Sequence, residues 1–129
     1  MASFSLCIKA APQTAGAIHG LEFAKACIAQ GHSIVRVFFY GDGVYLGLKT
    51  QMLPQGETCW GSRWQKFLNE YNIDAVVCIA AAIRRGVVDA AEARRLELDV
   101  DLLREGFVLS GLGQWVEANS IADHSISFG

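Results

Sequence analysis

The chain has 129 residues, of which 52% are hydrophobic and 19% are charged. This composition is too apolar and too weakly charged for a disordered protein, and it predicts one domain that spans residues 1–129. The 11 basic and 13 acidic side chains give a net charge of -2, so the overall charge does not favour direct binding of nucleic acid.

Charge is unevenly distributed along the chain, and the apolar segments are short. Residues 63–95 carry 6 basic and 4 acidic side chains, whereas residues 96–129 carry 1 and 6. No apolar run is long enough to span a membrane, and the apolar segment Met1–Ala11 is too short for a signal peptide. We therefore expect a soluble cytoplasmic protein with no membrane partner.

The first part of the chain is predicted to form a strand, a helix and a second strand. Ser3–Ala10 is strand-like, and Thr14 can cap a helix from Ala15 to Gln30, which Gly31 ends. Ser33–Tyr40 is β-branched, aromatic and almost entirely apolar, as is typical of a strand covered on both faces.

The middle of the chain repeats this alternation after a less regular stretch with a short helical turn. A strongly amphipathic helix is predicted from the helical spacing of Trp60, Trp64, Phe67, Leu68 and Tyr71. The continuous apolar run Asp74–Ala80 then predicts another central parallel strand.

The last third is predicted to contain two helices and two strands. Asp89 can cap a short helix that reaches Leu96, and strands are expected at Gly106–Ser110 and Ser125–Phe128. One helix face between those strands is marked by Leu112, Trp115, Val116, Asn119 and Ala122. The whole order favours a three-layer α/β/α fold around a mainly parallel sheet of about five strands, flavodoxin-like or related.

Four cysteines provide the candidate chemistry: Cys7, Cys27, Cys59 and Cys78. Their spacing matches neither a CxxC pair nor a zinc site, so we expect free thiols and no metal. Cys78 lies near the end of the most apolar predicted strand, and ligands of open parallel sheets gather beyond the carboxyl ends of the strands. Arg84 and Arg85 are close enough in sequence to stabilise a thiolate there, although a buried structural Cys78 remains the alternative.

The other candidates are weaker. Cys7 and Cys27 are expected to be packing residues, and Cys59 ranks second to Cys78 because the sequence puts no base beside it. We expect a surface or capping role for His19 rather than a catalytic one. The Gly41–Gly43 and Ser110–Gly113 segments match no phosphate-binding pattern and are better explained as turns.

Several segments together resemble the DsrE/TusD family of sulfur-relay proteins, and the resemblance covers nearly the whole chain. The most specific segment runs from Cys78 through Arg84-Arg85-Gly86 to Asp89. The other similar segments are Val37–Tyr40, Gly43–Tyr45, Gly106–Phe107 and Ser110–Gly113. The loop Ala11–Thr14 departs from the Pro-Tyr type associated with this family.

The resemblance implies a DsrE-like domain in which Cys78 carries sulfur as a persulfide and no cofactor is required. It also implies a heterohexamer with TusB/TusC-like or DsrF/DsrH-like subunits, a TusA-like donor and a TusE-like or DsrC-like acceptor. The pathway would be tRNA 2-thiouridine synthesis or dissimilatory sulfur oxidation. The alternative is a non-catalytic α/β interaction subunit in which Cys78 is structural.

Overall fold

The computed structural model describes residues 1–129. Its central sheet consists of five parallel strands in the order β4-β3-β2-β1-β5. The strands are β1 (Ser3–Ile8), β2 (Ser33–Phe39), β3 (Asp74–Cys78), β4 (Phe107–Ser110) and β5 (His124–Phe128). The predicted parallel sheet is confirmed. Its strand order differs from the 2-1-3-4-5 order of flavodoxin, so the fold is a related one.

Five α-helices and one 3₁₀ helix connect the strands. The helices are α1 (Ala15–Ala29), α2 (Trp60–Glu70), α3 (Ile79–Arg84), α4 (Ala90–Arg95) and α5 (Gly113–Ile121), and the 3₁₀ helix covers Gly41–Gly47. None of these helices is both long and apolar enough to cross a membrane.

Alternation along the strands separates two buried layers. Phe39 contacts Trp64 of α2, whereas its neighbour Phe38 contacts Trp115 of α5. Trp64 is fully buried, and its indole N–H donates to the carbonyl of Ala17 in α1 at 3.0 Å. Consequently α1 and α2 cover one face of the sheet and α5 covers the other, as the three-layer prediction requires.

The prediction of a strand through Ala80 is wrong at its end. β3 stops at Cys78, and α3 begins at the next residue. The run Ile79–Ile83 contains three consecutive alanines, which favour a helix, and its apolar composition hides the change from strand to helix. The bend places Cys78 at the junction of the two elements.

The predicted caps and faces have mixed outcomes. Asp89 caps α4 as predicted, because its Oδ1 accepts a hydrogen bond from the backbone N–H of Glu92 at 2.8 Å. Thr14 precedes α1 as predicted, but its hydroxyl donates to the carbonyl of Ala11 and caps no helix N–H. The predicted helix after β4 is confirmed as α5, but Leu112, at its N-cap, and Val116 are more than half exposed and do not contribute to its buried face.

Candidate functional site

Cys78 lies at the carboxyl end of β3, where the sheet ends and α3 begins. It occupies the N-cap position of α3 with an extended backbone, and it pairs with Ser110 of β4 in the sheet register. Only 3% of the residue is exposed. The predicted position of Cys78 at this edge is confirmed, and its thiol is buried among the ends of the central strands.

The Arg84-Arg85-Gly86 segment ends α3. Gly86 has a φ of +76°, and its N–H bonds to the carbonyl of Ile83, while the N–H of Val87 bonds to that of Ala82. These two bonds form a Schellman cap, in which glycine adopts the left-handed conformation at no steric cost. The glycine of this segment is therefore explained by the need to stop a short helix.

Arg85 joins α3 to the 3₁₀ helix. Its Nε donates to Asp42 Oδ1 at 3.0 Å, and its Nη1 donates to the carbonyl of Ala81 at 3.1 Å. Arg84 is exposed, and neither arginine donates a hydrogen bond to Cys78. The structure brings both arginines to the end of the helix that Cys78 begins, and their electrostatic role stays a prediction.

Cys7 lies on the same face of the sheet as Cys78. Cys7 pairs with Phe38 in the register, and Phe38 pairs with Val76, two residues before Cys78. Burial raises the pKa of Cys7 to about 11; Lys9 and a hydrogen bond from Ser127 lower it in part, and nearby Cys78 raises it. A thiol with so high a pKa stays protonated near neutral pH, in accordance with the predicted packing role.

Two further candidates have the predicted surroundings. Cys27 is 5% exposed on the buried side of α1, and burial raises the pKa of its thiol. His19 is exposed on the same helix, and its imidazole forms no hydrogen bond within the protein. Neither residue lies in a polar cluster that would favour catalysis. No group of three or more His, Cys, Asp or Glu side chains could hold a metal ion.

Cys59 has polar partners that sequence reasoning missed. It precedes α2, and its sulfur accepts hydrogen bonds from Ser62 Oγ at 3.3 Å and from Arg104 Nη2 at 3.4 Å. Arg104 is 45 residues away in sequence, so no local pattern signals this contact. Only the i, i+3 spacing of Cys59 and Ser62 at a helix start was visible in the sequence.

The chain is similar to known proteins over nearly its whole length. The DsrE/DsrF-like family matches residues 1–128. The chain is 45% identical over 108 residues to the DsrE protein of Allochromatium vinosum, covering 84% of this chain and 83% of the relative. It is 41% identical over 131 residues to the sulfurtransferase TusD of Photorhabdus laumondii, covering 99% and 100%.

The fold agrees with these sequence matches. The crystal structure of the ychN protein from E. coli superposes with a TM-score of 0.77 over 99% of this chain and all of that one, at 21% identity. At such an identity the likeness concerns the fold alone. The family match over residues 1–128 and the relatives at 41–45% identity carry the assignment: the chain belongs to the DsrE/DsrF-like family.

Proposed function

We propose that this chain is a sulfurtransferase subunit that accepts sulfur as a persulfide on Cys78 and passes it to the thiol of a partner carrier. The observation that carries the proposal is the position of Cys78 at the carboxyl end of a central strand, in a chain that belongs to the DsrE/DsrF-like family. Relatives named sulfurtransferase TusD support the same class of reaction.

The transfer is a thiol exchange at sulfur. The Cys78 thiolate attacks the outer sulfur of a donor persulfide; the new S–S bond forms as the old one breaks, and the donor leaves as a thiolate. An acceptor thiolate then attacks the outer sulfur of Cys78–S–SH and releases the Cys78 thiolate. Each step conserves the oxidation state of the system, so the relay needs no external oxidant, metal or organic cofactor.

The burial of Cys78 implies a role for the partner proteins. Because only 3% of the residue is exposed, a donor must displace neighbouring groups before its sulfur reaches the thiol. We expect the DsrF/DsrH-like or TusB/TusC-like subunits and the TusA-like donor to supply that displacement, with a TusE-like or DsrC-like acceptor downstream. Both tRNA 2-thiouridine synthesis and sulfur oxidation use this transfer.

A sulfur-loading experiment tests the proposal. After incubation with a persulfidated TusA-like donor, intact-mass and peptide mass spectrometry should find one added sulfur atom on Cys78. Cys78→Ser should abolish transfer to the acceptor. The matched control is Cys27→Ser, which removes another buried thiol from α1 and should leave transfer unchanged.

The same burial favours a second candidate, the non-catalytic interaction subunit with a structural Cys78. In that case Cys78→Ser would relay sulfur normally within the reconstituted complex, and no persulfide would form on Cys78. Full relay by Cys78→Ser, or persulfide confined to another cysteine, would contradict the sulfur-carrying role. Size-exclusion of the chain alone and then with its two candidate partner subunits tests the heterohexamer.

A further inference from the structure

Cys59 is the cysteine of this chain that solvent reaches. Cys7, Cys27 and Cys78 are 3–6% exposed, whereas Cys59 is partly exposed at the start of α2. It lies in the connection between β2 and β3, on the side of the sheet that α1 and α2 cover. Cys78 ends β3 itself and shares the opposite face with Cys7, so the two thiols occupy different surroundings.

The backbone on both sides of Cys59 is fixed by one side chain. Gln13 Nε2 donates to the carbonyl of Thr58 at 2.6 Å, and Gln13 Oε1 accepts from the backbone N–H of Trp60 at 3.3 Å. Gln13 belongs to the Ala11–Thr14 loop between β1 and α1. This loop therefore holds the backbone around Cys59 in place at the helix start.

Arg104 is a buried cation without a carboxylate partner. It is 7% exposed, and its Nε donates to the carbonyl of Leu46 at 3.1 Å. Its Nη1 donates to Ser62 Oγ at 3.1 Å and to Gln65 Oε1 at 3.4 Å, and its Nη2 donates to Cys59 Sγ at 3.4 Å. None of the five ion pairs in the structure includes Arg104.

The buried charge of the Arg104 guanidinium favours an anionic partner. Burying an ion is unfavourable unless an opposite charge compensates it, and an arginine side chain keeps its proton in proteins. The carbonyl of Leu46, the hydroxyl of Ser62 and the amide of Gln65 are neutral acceptors. Among the groups that Arg104 contacts, the Cys59 thiol is the one that can become an anion.

The first turn of α2 leaves space for the contact between Arg104 and Cys59, because residue 61 is a glycine. A Cβ atom on Gly61 would lie 2.8 Å from the carbonyl oxygen of Leu46 and 2.9 Å from Arg104 Nη2. Glycine therefore leaves the space that the guanidinium occupies beside the helix start. The hydroxyl of Ser62 contacts both the guanidinium and the sulfur and so links the two groups.

We propose that Cys59, whose sulfur lies against Arg104, forms a thiolate more readily than an ordinary cysteine, and that it is a site of covalent modification by small soft electrophiles. Haloacetamides and α,β-unsaturated carbonyl compounds belong to this chemical class. With iodoacetamide the sulfur lone pair forms an S–C bond while the C–I bond breaks, and iodide leaves with the bonding pair. The alkylated sulfur is neutral, so modification removes the counter-charge of Arg104.

The direction in which the surroundings shift the pKa of Cys59 agrees with this geometry. Burial raises the pKa of Cys59, but hydrogen bonds from the side chain and backbone of Ser62 and the charge of Arg104 more than offset it, and the pKa is lowered overall. By contrast, burial raises the pKa of Cys7 and of Cys27. Thiolate fraction and access therefore both favour Cys59 over these two residues.

Alkylation of the unmodified full-length protein is the primary test. Iodoacetamide labelling between about pH 5 and 9, followed by peptide mass spectrometry, gives a rate for each cysteine. We expect Cys59 to react first, with a rate midpoint below the ordinary thiol value of about 8.5. A midpoint at or above that value would overturn the proposal. Cys78→Ser should give the same Cys59 profile, so this test and the sulfur-loading test fail independently.

Substitutions of the partners identify the cause. Arg104→Met should slow labelling of Cys59 at pH 7 by about tenfold, and Arg104→Lys, which keeps the charge, should restore most of the rate. Faster labelling of Cys7 and Cys27 would reveal general unfolding. If Arg104→Met does not fold, Ser62→Ala decides the question: it should slow labelling of Cys59 by about threefold. Unchanged rates in a folded variant would exclude Arg104 and Ser62 as the stabilising groups.

Discussion

Arg36 of β2 is a side chain that joins three elements. Its Nη2 donates to Asp74 Oδ2 of β3 at 2.9 Å, and its Nη1 donates to the carbonyl of Gln114 at 2.8 Å and to Glu117 Oε1 at 3.3 Å in α5. The Arg36 side chain is only 11% exposed, whereas both carboxylates are more than half exposed. The bond to the carbonyl of Gln114 thus attaches α5 to the sheet directly.

We expect Arg36→Met to lower the free energy of unfolding by about 1–2 kcal/mol, because a partly buried charged donor is lost while the carboxylates regain water. Urea denaturation followed by circular dichroism measures this change. The matched control is Lys49→Met, which breaks the exposed 3.8 Å pair with Asp101 and should cost less than about 0.5 kcal/mol. Equal losses in the two variants would contradict a special role for Arg36.

Asp123 gives the stability of the protein an acid dependence. Its Oδ2 accepts hydrogen bonds from the backbone N–H of Ser3 at 2.8 Å and from Ser3 Oγ at 3.1 Å, and these bonds hold the pKa of Asp123 below its ordinary value. A carboxylate whose pKa is lower in the folded state stabilises that state above its unfolded pKa. The stabilisation disappears as the pH falls through the folded pKa.

The melting temperature of Asp123→Ala should therefore lie below that of the unsubstituted protein at neutral pH, and the difference should shrink as the pH falls below about 4. Asp99→Ala is the control, because Asp99 is exposed and forms no hydrogen bond. A difference that stays constant down to strongly acidic pH would exclude the carboxylate charge as its source. Thermal melts at several pH values make the measurement.

At the scale of elements, the end of α3 depends on one backbone conformation. Gly86 has a positive φ, and a Cβ atom there would meet no other group, so the effect of a side chain is purely conformational. We expect Gly86→Ala to lower the free energy of unfolding by about 1 kcal/mol. Gly111→Ala provides the control, because Gly111 also has open space but lacks a positive φ. Chemical denaturation of both variants compares them, and equal stabilities would contradict this role.

The elements with strong periodicity were predictable, and the exceptions have physical reasons. The spacing of Trp64 and Phe67 predicts α2, and both side chains are buried as expected. The start of α3 at Ile79 was hidden because an apolar run fits a central strand and a buried helix equally well. The exposed positions of Leu112 and Val116 show that the hydrophobicity of α5 does not report its buried face.

Cys78 and Cys59 differ in how much of their surroundings the sequence predicts. The place of Cys78 in the fold was predictable because it lies near the end of an apolar run, and the topology of parallel sheets specifies where strand ends meet. The surroundings of Cys59 were not, because Ser62 and Arg104 come from α2 and from a segment that precedes β4. A contact across 45 residues depends on tertiary packing, which a single sequence does not encode in any local period.

At the scale of the whole molecule, both ends of the chain contribute to one part of the sheet. β1 lies between β2 and β5, and Asn119 of α5 accepts hydrogen bonds from Ser5 of β1 at 2.6 Å and Ser125 of β5 at 2.8 Å. Ser3 and Asp123 are joined across 120 residues of sequence. Pairing of the first strand therefore depends on the last one.

That topology has a consequence for synthesis on the ribosome. While the chain is being translated, β1 can pair with β2 but presents its other side unpaired, because its second partner β5 follows all the other strands in chain order. An unpaired strand edge is a template for association with another chain. The nascent protein therefore carries an open edge on β1 until β5 has been made and has paired with it.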